Sequence, residues 1–120
     1  MRPVLRIGKA LSDATRVRAL LALRAGELCL CQLIRLLGRS PATVSKHMDI
    51  LREAGLVERR REGRWSHFRL AGRNAEPAVQ QALRWVCATL ADDATIVRDA
   101  RRVARLRGLD LRELAACYKS

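Results

Sequence analysis

Gly38-Arg39-Ser40-Pro41-Ala42-Thr43-Val44-Ser45-Lys46-His47-Met48-Asp49-Ile50-Leu51-Arg52-Glu53-Ala54-Gly55 is the stretch that decides how this chain is read. It opens with a glycine, a cap residue and a proline at the first helical position, and it closes on a second glycine. Between these signals Val44, Met48 and Leu51 recur at the i, i+4, i+7 spacing of one buried helix face. Ala42, Thr43, Lys46, Asp49 and Ile50 are left pointing outward, so the exposed N-terminal end is small, polar and basic. Just upstream, residues 30–37 carry a short helical pattern that stops at Gly38. Two helices separated only by Gly38 to Pro41 predict a helix-turn-helix over about 30–54.

Downstream, Leu56-Val57-Glu58-Arg59-Arg60 and Ser66-His67-Phe68-Arg69-Leu70 are strand-like pieces joined by a tip containing Glu62, Gly63 and Arg64. They predict a β-hairpin over about 57–70 with a basic tip. A helix-turn-helix followed directly by such a hairpin is a winged helix. Its second helix enters the DNA major groove and its wing lies along phosphates or the minor groove. The expected fold is therefore mainly α with a small β-hairpin, in one domain spanning residues 1–120.

Working outward, residues 3–11 read as a short helix with Val4, Leu5, Ile7 and Leu11 on one side. Ser12 and Asp13 supply cap chemistry for a helix over about 14–25, which stops at Gly26. After Asn74 two more helices are predicted, over about 76–91 and 93–107. The stripe Val79, Leu83, Val86 and Leu90 has no obvious partner inside so small a domain. Segments 1–11 and 74–107 are accordingly expected to form the interface of a homodimer, whose two-fold symmetry suits palindromic half-sites. Arg98, Arg101, Arg102 and Arg105 read as a solvated face able to touch phosphate. Residues 108–120 form an extension with a short helix over 110–117 capped by Asp110.

Composition narrows the class of function. A chain of 120 residues has room for one core. With 24 Lys and Arg against 12 Asp and Glu, the net charge of +12 attracts polyanions. No Gly-rich phosphate loop and no set of nucleophile, base and orienting acid is present among residues that include only two histidines, so an enzyme is not expected. Nothing resembles a secretion signal or a membrane span, and a cytoplasmic location with reduced thiols follows as the expectation. The cysteines are Cys29, Cys31, Cys87 and Cys117. Cys29 and Cys31 are too close in sequence to bridge comfortably, which turns attention to metal or metalloid chemistry.

The stretches Ala10-Leu11-Ser12-Asp13-Ala14-Thr15-Arg16-Val17-Arg18, Ser40 to Met48, Leu51-Arg52-Glu53-Ala54-Gly55-Leu56-Val57 and Arg61-Glu62-Gly63-Arg64-Trp65 resemble the ArsR/SmtB family of metalloregulatory repressors, over residues 8–90 in order. The resemblance implies a homodimer that sits on operator DNA and leaves when an inducer binds. On the residues of this chain, Thr43, Ser45, Lys46 and His47 are expected at the major groove, with Ser40, Arg52 and Arg64 on phosphates. No cofactor is required in such a protein beyond its inducer.

Glu27-Leu28-Cys29-Leu30-Cys31-Gln32-Leu33 looks like the signature of the arsenite and antimonite branch, which makes As(III) or Sb(III) the expected inducer and Cys29 and Cys31 its ligands. Thiols at a helix N-terminus are expected to have a lowered pKa, and soft thiolates suit soft ions. Two residues apart on a helix, their side chains diverge by about 200°. A shared ion would then have to distort the first turn of the helix and tilt the reading element packed on it. The third thiol of the signature would fall at Ile34, so the third sulfur is sought at Cys117, less readily at Cys87, or in a small cellular thiol. A cadmium or lead sensor, or a redox sensor using the same two thiols, remains open. The zinc, nickel and cobalt branch needs imidazole on the C-terminal interface helix, and no histidine follows His67.

Overall fold

The computed structural model describes residues 1–109, 112 and 114. Six helices and three short strands follow in the order α1 (Arg2–Leu11), α2 (Ala14–Ala22), β1 (Leu28–Cys29), α3 (Leu30–Leu37), α4 (Pro41–Glu53), β2 (Val57–Glu62), β3 (Trp65–Leu70), α5 (Pro77–Thr89) and α6 (Ala94–Leu106). The punctuation in the sequence acts as local chemistry dictates. Asp13 caps α2 by accepting the Arg16 N–H at 3.1 Å, and this bond holds its carboxyl below the usual range. A 3₁₀ turn, Leu23–Ala25, completes the second helical stretch before Gly26. Gly38 ends α3 in the left-handed conformation, at φ +64°, where a side chain would be strained.

Helices α3 and α4 form the helix-turn-helix, and Val44, Met48 and Leu51 are completely buried, as their spacing requires. Ile50, expected outward, is half-buried and packs at the edge of the core. β2 and β3 pair from Val57–Leu70 to Glu62–Trp65 and make the wing. One element escapes sequence reading. β1 pairs antiparallel with β3, Leu28 opposite Phe68 and Cys29 opposite His67, so the wing is the outer part of a three-stranded sheet ordered β1-β3-β2.

The C-terminal half finds partners inside the chain that its pattern did not reveal. The stripe Val79, Leu83 and Val86 of α5 is buried within the chain itself. α6 likewise buries Ile96, Val103 and Leu106 against its own chain, next to α2 and α3. Among the described residues the large apolar groups that stay exposed are Met1, Val4 and Leu5 of the first helical segment and Trp85 on α5, each more than 60% accessible, and Leu109 at 44%. Beyond Gly108, the helix expected over 110–117 lies mostly outside the described residues, as does Cys117. Leu114 is described, and it is fully buried in the common core.

Ionic braces fix the helices relative to the reading head. Arg16 is nearly buried and donates to the carbonyls of Lys9 and Ala10 at the end of α1, while a further N–H lies 3.2 Å from His47 Nδ1 on α4. A guanidinium only donates, so Nδ1 of His47 is the accepting nitrogen and its proton sits on Nε2. Arg18 grips the buried Asp99 with two bonds, 2.8 and 3.1 Å, tying α2 to α6.

Candidate DNA-reading surface and thiol site

The exposed end of α4 gathers the residues expected to read DNA. Ser40 is the N-cap: its hydroxyl accepts the Thr43 N–H at 3.2 Å and donates to Thr43 Oγ1 at 2.9 Å. Thr43, Ser45 and Lys46 are exposed, and His47 is half-buried with Nε2 left for an outside partner. Arg52, at the other end of α4, lies 3.6 Å from Asp49, and Arg64 at the wing tip rests 5.0 Å over the Trp65 ring. The capping role of Ser40 separates two effects. Ser40→Ala should cost about 1 kcal/mol of stability through the lost cap. Ser40→Asp should keep the melting temperature within about 2 °C, because a carboxylate also caps, yet weaken DNA binding at least about tenfold by repelling phosphate.

The thiol pair is built differently from the expected one. Cys29 is the N-cap of α3, with the extended backbone of β1 (φ −72°, ψ 151°), and Cys31 is the second helical residue. Because one thiol belongs to a strand and the other to a helix, their side chains converge instead of diverging. Cys31 Sγ lies 2.8 Å from Cys29 Sγ. The premise of a 200° separation therefore fails, and the first turn of α3 need not unwind to bring the sulfurs together. Gln32 reaches back to accept the Cys29 N–H at 2.7 Å and locks the junction.

Both sulfurs are buried, Cys29 to 1% and Cys31 to 0% accessibility. The second expectation, a lowered thiol pKa, is reversed at Cys31. Its hydrogen bond to Cys29 holds the proton and burial adds to the effect, pushing the thiol well above its ordinary range. Among the described residues no third Cys, His or carboxylate of the same chain joins the pair to make a set of three, so Cys87 does not complete it within one chain. Cys87 is half-buried on α5, with its thiol raised by burial.

Two arginines clamp the residues just before the pair. Arg107, after the end of α6, donates to the carbonyls of Gly26 and Glu27 at 3.0 and 3.1 Å. Arg60 of β2 pairs with the Glu27 carboxylate at 2.7 Å and holds it below the usual range. His67 of β3, opposite Cys29, sits 3.8 Å from the same carboxylate. Sequence reading missed Glu27, Arg60 and Arg107, because the contacts span 33 and 80 residues and have no local pattern.

These features match known proteins. The family profile of bacterial regulatory proteins of the arsR family matches residues 13–59. The chain is 40% identical over 104 residues to the arsenic resistance transcriptional regulator ArsR1 of Pseudomonas putida, covering 82% of this chain and 75% of that one. It is 35% identical over 80 residues to a cadmium resistance transcriptional regulatory protein CadC homolog of Staphylococcus aureus, covering 66% of each. The homodimeric winged helix-turn-helix DNA-binding domain of a Mycobacterium bovis protein, described as a possible ArsR-family transcriptional regulator, superposes with a TM-score of 0.62 at 30% identity, covering 75% of this chain and 77% of that one. No described helix is long and apolar enough to cross a membrane. With the reading head, the wing and the relatives in agreement, the chain belongs to the ArsR family of bacterial regulatory proteins.

Proposed function

We propose that this protein is an arsenite- and antimonite-responsive repressor that binds operator DNA as a homodimer and leaves it when Cys29 and Cys31 capture the metalloid. The observation that carries the reading is the buried pair of sulfurs 2.8 Å apart where the reading head meets the wing sheet. Thr43, Ser45, Lys46 and His47 face the major groove, and Ser40, Arg52 and Arg64 meet phosphates. The exposed Val4, Leu5 and Trp85 supply the apolar face for a second copy. Cys117 is the third sulfur of a trigonal site.

The geometry supports a switching route that differs from helix unwinding. Capture would displace the two sulfurs, because bonds from both to the metalloid replace the Cys31–Cys29 hydrogen bond. The displacement falls on the β1–α3 junction. From there one branch runs through α3 to α4, and the other through β1 to β3 and through Glu27 to Arg60 on the wing. Both branches end on surfaces that would touch DNA.

A thiol-based redox sensor is the second reading, favoured by the same short sulfur contact. Two thiols and one peroxide would give a disulfide and two waters. A mobility shift on an inverted-repeat promoter fragment, titrated in parallel with arsenite, antimonite, cadmium, zinc and peroxide, separates the readings. Release by arsenite or antimonite at the lowest dose supports the first. Release first by peroxide or cadmium replaces it, and failure of the protein to retard any duplex ends the DNA-binding reading altogether.

A further inference from the structure

The wing carries five arginines, Arg59, Arg60, Arg61, Arg64 and Arg69, within residues 57–70. Nothing in the sequence distinguishes one arginine from the next. The register of the hairpin does. Glu58–Arg69, Arg60–His67 and Glu62–Trp65 are cross-strand pairs on one face of the sheet, and Val57–Leu70, Arg59–Phe68 and Arg61–Ser66 lie on the other.

On the first face every arginine is already neutralised. Arg60 is held between Glu27 at 2.7 Å and Glu62 at 3.0 Å. Arg69 makes bonds of 2.8 and 3.0 Å to Glu58 Oε1, and the other oxygen of Glu58 accepts the Gly72 N–H at 3.3 Å, which keeps the carboxylate in place. On the second face Val57 and Phe68 turn into the core, while Arg59 and Arg61 continue the same face beyond it, exposed and without an ion pair among the described residues. Ser66 opposite Arg61 is small and leaves its guanidinium room. Arg59 borders the groove between α4 and β2 together with Arg52, and Asp49, Glu53 and Glu58 line the same groove.

We infer that Arg59 and Arg61, with Arg64 at the tip, form the phosphate-binding edge of the wing, and that Arg60 and Arg69 are surface struts, tied to carboxylates, that take no part in holding DNA. The inference rests on the DNA-binding reading above and deepens it. The physical ground is counterion release. A guanidinium that meets phosphate from a free state displaces a condensed cation and adds about 0.9 to the slope of log affinity against log salt. One held at hydrogen-bond distance by a carboxylate, as Arg60 and Arg69 are and Arg52 at 3.6 Å from Asp49 is not, leaves that negative charge beside the DNA when it lets go, so its net contribution is close to nothing. A helix in the major groove also brings the bordering backbone between α4 and the wing, toward the face that carries Arg59 and Arg61.

The test is the salt dependence of binding to whichever promoter duplex the parent protein retards, measured from about 50 to 200 mM salt. The double variant Arg59→Ala, Arg61→Ala should lower the slope by about 2 for each protomer on the DNA, equally on specific and random duplexes, and Arg59→Lys, Arg61→Lys should restore it. Arg69→Ala should leave the slope unchanged. Circular dichroism melting of each variant shows that the fold is kept. A slope that falls as far for Arg69→Ala, or that does not fall for the double variant, overturns the assignment. A parent protein that binds no duplex overturns the DNA-binding reading instead, so the two failures are told apart.

Discussion

Cys29→Ser, Cys31→Ser protein should hold its operator at arsenite concentrations at least a hundredfold above those that release the parent. A ligand shifts a two-state equilibrium only through its difference in affinity for the two states, and a hundredfold effect corresponds to about 2.7 kcal/mol. The serines remove the soft donors while keeping the local fold. Serine is a favoured N-cap at position 29, and a hydroxyl at position 31 can still donate to its neighbour. DNA affinity without inducer should therefore stay within about threefold of the parent, a change of under about 0.7 kcal/mol. Loss of DNA binding in this variant would mean that the thiols hold the reading head together and would undo their role as a sensor.

The state of Cys31 adds a second signature. Its proton is held by the bond to Cys29 and by burial, so the thiol is protonated throughout the neutral range. Arsenious acid condenses with the three thiols of the proposed site to give three As–S bonds and three waters, and no proton is released. Cadmium must expel a proton for each protonated thiol it binds. From pH 6 to 8, the cadmium dose for half-release should fall at least about tenfold per unit, the proton of Cys31 alone sufficing. The arsenite dose should hardly move. A steep arsenite profile would show that a thiolate, and not the observed thiol, is the form that reacts.

How far the sequence could be read follows from how local each cause is. The reading head depends on Ser40, Pro41 and the glycines at 38 and 55, all within one helix length, and its helices fall where those residues put them. The thiol site depends on β1, two residues long, whose formation is decided by pairing with β3 about forty residues on. No periodicity exists in two residues. Without that strand Cys29 and Cys31 both appear helical, and the direction of their side chains is misjudged. The partners that the α5 stripe finds within the chain escaped sequence reading for a related reason. An apolar stripe states that burial is needed, and it does not say whether α2, α3 or a second copy provides it. Arg16 and Arg18 share one short segment that reads as a basic helix start, yet both turn inward to fixed partners, one to carbonyls and the other to Asp99.

That last pair carries the largest stability effect expected in the molecule. Asp99 is 2% accessible and its two oxygens are both used by Arg18, whose side chain remains 22% accessible. Removing one partner of a buried pair costs about 3–5 kcal/mol, because the remaining charge is left without compensation. Partial exposure of Arg18 puts Arg18→Ala at the lower end, about 3 kcal/mol, or about 10 °C in melting temperature for a chain of this size. The combination Arg18→Met, Asp99→Leu should recover most of that loss, since two apolar side chains need no partner. The consequence reaches the thiols. Asp99 anchors the middle of α6, and the residue just past its end, Arg107, holds the carbonyls of Gly26 and Glu27 beside β1. Loosening α6 should therefore expose the buried pair, and Cys31 in Arg18→Ala protein should react at least tenfold faster with an aromatic disulfide reagent at a temperature where both proteins are folded. An unchanged reaction rate alongside the lowered melting point would show that α6 steadies the core without guarding the sulfurs.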